Sequence, residues 1–147
     1  MAGHHEYLLR LRHAVPPYFC ATVFINYTAD YIAFFVNNTS GTTYEYETAA
    51  SAVAAGQWYH LVCVNEGAGE DAKIYLNNVD ITSYHPTAFT GTLLQYNSVV
   101  MIGNHNKVDE YGFKGYLDQS ILYKQALTPA DVAWLWNGGN GREYPFN

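Results

Sequence analysis

The sequence predicts an all-β protein, a sandwich or barrel of short antiparallel strands that ends in one short helix. Apolar or alternating runs recur at intervals of about ten residues, with Gly, Asn or Pro between them, as in β-sandwiches. Aromatic residues make up 16% of the chain, and Tyr, Phe and Trp fit the pleated, half-buried surface of a sheet. A single helical pattern occurs near the C-terminus.

Turn residues separate the predicted strands along the chain. Asn77 and Asn78 stand between two of them, and Asn tolerates the positive φ that a two-residue hairpin turn needs. No repeat, low-complexity tract or linker interrupts the pattern, so we predict one domain over residues 1–147. The predicted strand ranges are 6–12, 18–27, 30–36, 42–48, 58–65, 72–76, 79–82, 98–103 and 113–124.

The helical pattern covers residues 126–136, which read ALTPADVAWLW. Thr128 is a favourable N-cap, Pro129 is tolerated at the first helical position, and Asp131 places negative charge in the first turn. Two glycines at 138 and 139 are expected to end the helix.

Residues 55–64, AGQWYHLVCV, place a Trp beside a His, which suggests either a ligand pocket or the start of a buried strand. Alternation gives this stretch apolar side chains on both faces, as in a central strand of a packed sandwich. Trp58 is then expected to close one end of the core. His60 has no second His or Cys at ligand spacing, so we expect a structural hydrogen bond rather than metal binding.

The charge and composition of the chain exclude several classes of partner. Only 14% of residues are charged and the net charge is −6, so phosphate backbones and anionic lipids are not attracted. No uninterrupted apolar run is long enough for a transmembrane helix. Arg10 and Arg12 form the densest basic group, which one strand with two outward Arg explains. We therefore predict neither nucleic-acid binding nor membrane insertion.

The cysteines and the N-terminus bear on the compartment. Cys20 and Cys63 lie in apolar runs, which suits buried free thiols, although a bridge between them is also compatible with the sequence. The first 20 residues lack the order of a secretion signal. A signal outside this sequence and release with virus particles both remain open. Low charge with many Tyr, Asn and Thr favours an extracellular or virion surface.

Three segments, in the same order, resemble the laminin-G-like (pentraxin-type) jelly-roll domains of the concanavalin A-like lectin/glucanase superfamily. They are SAVAAGQWYHLVCV at 51–64, KIYLNNVDI at 73–81 and FKGYLDQSILYKQALTPADVAWLW at 113–136. The resemblance implies a two-sheet antiparallel jelly-roll sandwich with one short C-terminal helix. The ending LWNGGNGREYPF also resembles phage-encoded domains of this type.

The chain departs from the family pattern at its start. Relatives usually carry one or two further strands before the equivalent of residues 6–12, and those strands pair beside the C-terminal strand. The resemblance therefore implies a sheet that is short by a strand and has an open edge. A second copy of the chain or a virion protein could cover such an edge.

The acidic residues do not predict catalysis. Glucanases of the superfamily use a strand with Glu, Asp and Glu at alternate positions, and retaining glycosidases need two carboxylates about 5 Å apart. Glu45 and Glu47 alternate in this chain, but no third acid follows them. No nucleophile elbow, HExxH motif or phosphate loop is present either. We therefore expect no enzymatic activity.

Calcium is the cofactor that the resemblance implies. The family often takes one ligand from the Asp of its closing strand, and Asp118 holds that position here. Its usual partners come from the opening strands, so a simple pairing of Asp118 with the backbone or a nearby cation is the alternative. Glu66, Glu70 and Asp71 share one loop, which suits either a calcium loop or a solvated acidic hairpin.

The predicted ligand-binding residues lie in two loops. Aromatic rings can stack on sugars, and amides and acids can bond sugar hydroxyls. A polar loop held by its own side-chain to backbone bonds is the competing interpretation. The residues are Tyr84, His85, Asn104, His105, Asn106, Asp109 and Tyr111.

These observations predict a non-catalytic, lectin-like module that binds a glycan or surface polysaccharide in recognition or adhesion. The alternative is a structural virion or surface-assembly protein, such as a capsid decoration or tail-fibre component, built on the same sandwich. Both functions rest on the resemblance, because a fold alone does not fix a function.

Overall fold

The computed structural model describes residues 5–16, 18–84, 87–105 and 111–143. The strands are β1 (His5–Arg12), β2 (Phe19–Asn26), β3 (Tyr31–Asn37), β4 (Thr43–Thr48), β5 (Leu61–Val64), β6 (Lys73–Leu76), β7 (Val79–Asp80), β8 (Thr82–Tyr84) and β9 (Val100–Ile102). One helix, α1 (Pro129–Trp136), follows them and continues into a short 3-10 turn at Asn137–Gly139. None of the helices in these ranges has the length and apolarity needed to span a membrane.

The strands form two antiparallel sheets. The large sheet has six strands in the order β8-β4-β3-β2-β1-β9, and the small sheet has three in the order β5-β6-β7. The predicted all-β jelly-roll sandwich with one short C-terminal helix is confirmed.

The core lies between the two sheets. Ile32, Phe34 and Tyr46 of the large sheet pack with Ile74 of the small sheet and with Phe89 of a connecting segment. These positions alternate with outward ones along each strand, since successive side chains of a strand point to opposite faces. The large sheet therefore has one face in the core and one face turned away from it.

Helix α1 covers the second face of the small sheet. Val132 is fully buried against Val64 and Tyr75. Thr128 is the N-cap as predicted, and its exchange of hydrogen bonds with Asp131 completes a capping box. The helix ends at Trp136, because Asn137 takes the left-handed conformation with φ 48° one residue before the predicted glycines.

The hairpin predicted at Asn77 and Asn78 connects β6 and β7. Both residues have positive φ, 50° and 68°, as a two-residue turn requires. The side chain of Asn77 also accepts a hydrogen bond from the backbone N–H of His60 at 2.9 Å.

The prediction for Trp58 was wrong. The side chain is 68% exposed and its ring lies 6.3 Å from that of Tyr116. The strand begins only at Leu61 and forms an edge of the small sheet, not its centre. His60 stacks on Trp136 with ring centroids 5.8 Å apart, and its Nδ1 has no hydrogen-bond partner. Alternation in β5 itself is as predicted, with apolar side chains on both faces.

The strand predicted over 113–124 does not form, although every residue of this range is described. The N–H of Phe113 bonds the carbonyl of Gly103, and the N–H of Lys114 bonds the buried carboxylate of Glu6. Beyond this point the segment pairs with no strand, so its apolar side chains have no sheet face to bury them. Tyr116 is 84% exposed.

Cys20 and Cys63 are both free thiols. Burial raises the pKa of Cys20 to about 11 and that of Cys63 to about 12. Both are therefore protonated, weakly reactive thiols at neutral pH.

Candidate functional site

A first row of side chains crosses four strands on the face of the large sheet that points away from the core. In register they are Arg10, Thr22, Phe35 and Glu45. Val23, the chain neighbour of Thr22, lies in the core, so alternation turns the row outward. Neighbouring strands are about 4.8 Å apart, which puts roughly 14 Å between the backbones at the two ends. The row runs from a cation to a carboxyl group.

A second row lies beside the first on the same face. It consists of Tyr7, Phe24, Ala33, Glu47 and Tyr84, again paired in register across neighbouring strands. The two rows define what is called here the outer face. Both rows place the larger apolar and basic groups over β1 to β3 and the carboxyl groups over β4.

A β-bulge in β1 brings the two rows together. Tyr7 and Arg10 are three residues apart, and in a regular strand that odd spacing would put them on opposite faces. The register shifts between Tyr7 and Leu9, and the extra residue restores Arg10 to the face of Tyr7. Leu9 consequently faces Val23 in the core.

Phe24 forms the floor of an aromatic cluster on the outer face and is only 3% exposed. Its ring centroid lies 4.6 Å from that of His5, 5.5 Å from that of Tyr7 and 5.1 Å from that of Phe35. These edge-to-face and tilted arrangements are the favourable ones for aromatic pairs. The cluster buries apolar surface on the face that the core does not use.

A cavity of about 260 Å³ opens over this floor. The guanidinium carbon of Arg10 lies 5.8 Å from the ring centroid of Tyr7 and 5.4 Å from that of Phe19, within range for cation–π attraction. The wall therefore combines ring faces, a cation and a hydroxyl. The lining residues are Tyr7, Arg10, Phe19, Thr22, Phe24, Phe35 and His105.

Two of the predicted ligand-binding residues border this cavity. His105 lies against Tyr7 with ring centroids 4.3 Å apart, and Tyr111 lies 6.0 Å from Tyr7 and 5.3 Å from His105. The backbone N–H of Tyr7 also bonds the carbonyl of Tyr111 at 3.2 Å. Asn104 is exposed and its Oδ1 accepts the N–H of His105 at 2.6 Å.

The other predicted ligand residues are not gathered at the cavity. Tyr84 belongs to the second row but stands on β8, at the opposite edge of the large sheet, and is half exposed. His85, Asn106 and Asp109 lie outside the described residues. The site that the structure describes is thus centred on the sheet and only bordered by the loop.

Glu45 and Glu47 form a carboxyl pair on β4, the fourth strand that the two rows cross. The pKa of Glu45 is raised from 4.5 to about 7. Burial is the largest cause, and a hydrogen bond with Glu47 and the negative charge of Glu47 add to it. Glu47 is also bonded to the hydroxyl of Tyr31, and burial raises the pKa of that hydroxyl. At neutral pH the pair therefore shares a proton and offers both a donor and acceptors.

The carboxyl pair predicts a pH dependence of stability. The folded protein holds the Glu45 proton more tightly than the unfolded chain, so this contribution is fully present below about pH 4.5 and is lost as the pH rises through 7. Glu45→Gln should remove that loss. Urea unfolding between pH 4.5 and 8 should give a wild-type stability that falls relative to the variant. Curves that stay parallel would show that Glu45 does not titrate in this range.

Asp118, the predicted metal ligand, lies on the exposed segment that follows Gly112. One of its carboxylate oxygens accepts the N–H of Gln119 at 2.8 Å. Glu66 of the acidic loop forms an ion pair with Lys73 at 2.8 Å. Within the described ranges no group of three or more His, Cys, Asp or Glu is placed to hold a metal ion. Calcium binding by Asp118 stays a prediction.

Sequence reasoning missed the centre of the site. The alternation of residues 6–12 and 18–27 identifies the strands and points Arg10 outward, as observed. It does not show that Tyr7 joins Arg10 on one face, because the bulge has no signal in the sequence. Phe24 and Phe35 are apolar, so the sequence alone suggests that they belong to the core. Only the pairing register of the strands shows that they lie on the outer face.

Comparison with known protein families identifies the superfamily of the chain. A family model described as the concanavalin A-like lectin/glucanases superfamily matches residues 21–133. No curated protein and no solved structure matches the chain.

Proposed function

Because the chain belongs to the concanavalin A-like lectin/glucanase superfamily, we propose that it is a non-catalytic module that binds carbohydrate on the outer face of its large sheet. The fold is of a carbohydrate-binding type, and the cavity over Phe24 carries the proposal. Laminin-G-like domains are typically extracellular, so the proposed ligand is a glycan or polysaccharide of a cell or host surface.

The lining of the cavity suits a sugar ring. The exposed parts of Tyr7 and His105 offer aromatic faces for the C–H side of a pyranose. Arg10 and Thr22 offer a cation and a hydroxyl for hydrogen bonds to its oxygens, and the Glu45 pair lies farther along the same face. At about 260 Å³ the cavity is slightly smaller than a pocket for a drug-sized molecule. It would therefore hold about one sugar residue of a longer chain.

The carboxyl pair supports binding rather than hydrolysis. Glycosidases need two carboxyl groups far enough apart to act on both sides of a glycosidic bond, at least about 5 Å. Glu45 and Glu47 lie close enough for Glu47 to raise the pKa of Glu45, but no third acid alternates with them along β4, unlike the Glu, Asp and Glu strand of the superfamily's glucanases. We expect bound oligosaccharides to be recovered uncleaved after prolonged incubation.

A glycan array on the purified protein tests the proposal. Tyr7 touches Phe24, His105, Tyr111 and Arg10, so Tyr7→Ala should weaken binding at least about tenfold, as for a central contact residue. Tyr116→Ala makes the same chemical change on an exposed side chain that does not line the cavity and should bind as wild type. Equal binding by both variants would contradict the proposed site.

The array run with calcium and again with chelator tests the metal prediction. Binding that is lost with chelator, and in Asp118→Asn, would support a calcium-dependent module. Binding that survives chelation would leave the sheet cavity sufficient and remove the metal from the proposal.

A second function, assembly with virion or surface proteins, is supported by two observations. The segment 113–126 carries apolar side chains that no sheet buries, and strand β5 forms an edge of the small sheet. Exposed aromatic and aliphatic side chains of this kind are common anchors of protein interfaces. They are Trp58, Tyr116, Leu117, Ile121, Leu122 and Tyr123.

Light scattering over a range of protein concentrations tests assembly separately from sugar binding. Self-association that Tyr116→Ala or Ile121→Lys weakens, in a protein that gives a blank array, would favour the assembly function. A monomer at all concentrations that binds sugar would favour the lectin-like function.

A further inference from the structure

Arg10 is a cation without a matching anion in the described part of the chain. Its guanidinium lies against the rings of Tyr7 and Phe19, and its Nε is buried with no hydrogen-bond partner. The ion pair found among the described residues joins Lys73 to Glu66 and does not include Arg10. Burial lowers the pKa of Arg10, because partial removal from water disfavours the charged form.

Thr22 adds a second unpaired group to the same cavity. It is the cross-strand neighbour of Arg10, is 3% exposed and lines the cavity. Its Oγ1 is buried without a hydrogen-bond partner. Leaving a buried polar group unpaired costs free energy, so two such groups on residues that line one cavity are consistent with a partner that supplies acceptors.

The nearest carboxyl groups of the outer face do not meet this need. Glu45 stands in the same row, but Phe35 lies between it and Thr22, and three strand spacings separate its backbone from that of Arg10. The pKa of Glu45 is raised to about 7, which reduces the negative charge at that end near neutral pH. An anion with oxygen acceptors at the Arg10 end would complete the site.

We infer that the cavity takes an acidic sugar, whose anionic oxygens accept hydrogen bonds from the guanidinium of Arg10 and the hydroxyl of Thr22. The inference rests on the proposed carbohydrate binding and narrows its ligand class. Arg presents a planar fork that suits oxyanions in two-bond geometry. The rings of Tyr7 and Phe19 flank this fork, and the partial burial of Arg10 strengthens its attraction for an anion.

Matched pairs of oligosaccharides that differ only in charge provide the test. Trigalacturonate and its methyl ester differ in their carboxylates, and sulfated lactose and lactose differ in a sulfate. Affinities measured by calorimetry on the full chain should favour the acidic member of a pair, and the advantage should shrink as salt is raised. The two pairs distinguish a carboxylate from a sulfate as the bound group.

Variants of both residues then locate the effect. Arg10→Met keeps the length of the side chain but removes the charge, and should weaken binding of the acidic sugar roughly 10- to 100-fold. Thr22→Val replaces the hydroxyl by a methyl group of similar shape and should weaken the affinity for the acidic sugar roughly three- to tenfold. Arg142→Met is the matched control, because Arg142 lies over Trp134 of the C-terminal helix and should leave affinity unchanged.

The outcomes separate this inference from the proposed function. Thermal unfolding of each variant shows whether it is folded, and Thr22→Val should unfold at or above the wild-type temperature because it removes a buried unpaired hydroxyl. Equal affinity for the acidic and neutral member of each pair would overturn the inference and leave carbohydrate binding intact. A protein that binds neither member of any pair, and no glycan on the array, would overturn both the acidic-sugar inference and the proposed carbohydrate binding.

Discussion

We expect Phe24→Ala to lower the free energy of unfolding by about 3–5 kcal/mol, the range for a buried Phe. This is a core-sized effect on the face of the large sheet that points away from the core. The ring is 3% exposed and is enclosed by His5, Tyr7 and Phe35. Its removal leaves a void beneath these three rings that the rigid sheet cannot close.

Urea unfolding followed by fluorescence measures this loss. Phe24→Leu is the matched control, since it keeps most of the apolar volume and should cost less than about 1.5 kcal/mol. Phe24→Ala should also abolish sugar binding in the absence of urea, under conditions where the variant is still folded, because Tyr7 loses its support. A loss below 1 kcal/mol would mean that the cluster is mobile and not a packed floor.

We expect Phe89→Ala to be equally destabilising, by about 3–5 kcal/mol, but to leave the binding site intact. Phe89 is fully buried between the sheets, with its ring 4.9 Å from that of Tyr44. Its backbone also exchanges hydrogen bonds with the turn at Gly69 and Glu70. The residue therefore stabilises the sandwich from the side opposite to the cavity.

The contrast between the two variants is the informative result. The folded fraction of Phe89→Ala should bind sugar with wild-type affinity, while that of Phe24→Ala should not. If both variants lose sugar binding to the same extent, the loss would reflect the lowered stability of the whole protein and not the removal of a side chain from the outer face. The assignment of the ligand to that face would then lose its support.

The repeated alternation of apolar residues was sufficient to predict the strands of the large sheet. Residues 18–27, 30–36 and 42–48 each form a strand within one residue of the predicted bounds at either end. The Asn77-Asn78 turn and the Thr128 cap were also predicted correctly, because both depend on local backbone preferences. At the Asn77-Asn78 turn and the Thr128 cap, the local backbone preferences are strong and the tertiary packing favours the same conformation.

Prediction failed where a residue needs a distant partner. Trp58 and the segment 113–124 have the composition of buried strands, but burial requires a neighbouring strand that the described structure does not pair with them. The loop residues His105 and Tyr111 were chosen for their chemistry. His105 lines the cavity, and Tyr111 contacts Tyr7 and His105 beside it. Their role in binding stays a prediction.

The sequence by itself determined the fold class, the strands and the chemistry on offer, because alternation, turn residues and caps act over a few neighbouring positions. Only the tertiary structure decided which side chains meet. The bulge in β1 places Tyr7 and Arg10 on one face, and the register of β1 to β4 aligns Arg10, Thr22 and Glu45. A shift of one residue in any pairing would turn these groups into the core, and register is set by contacts between residues far apart in the chain.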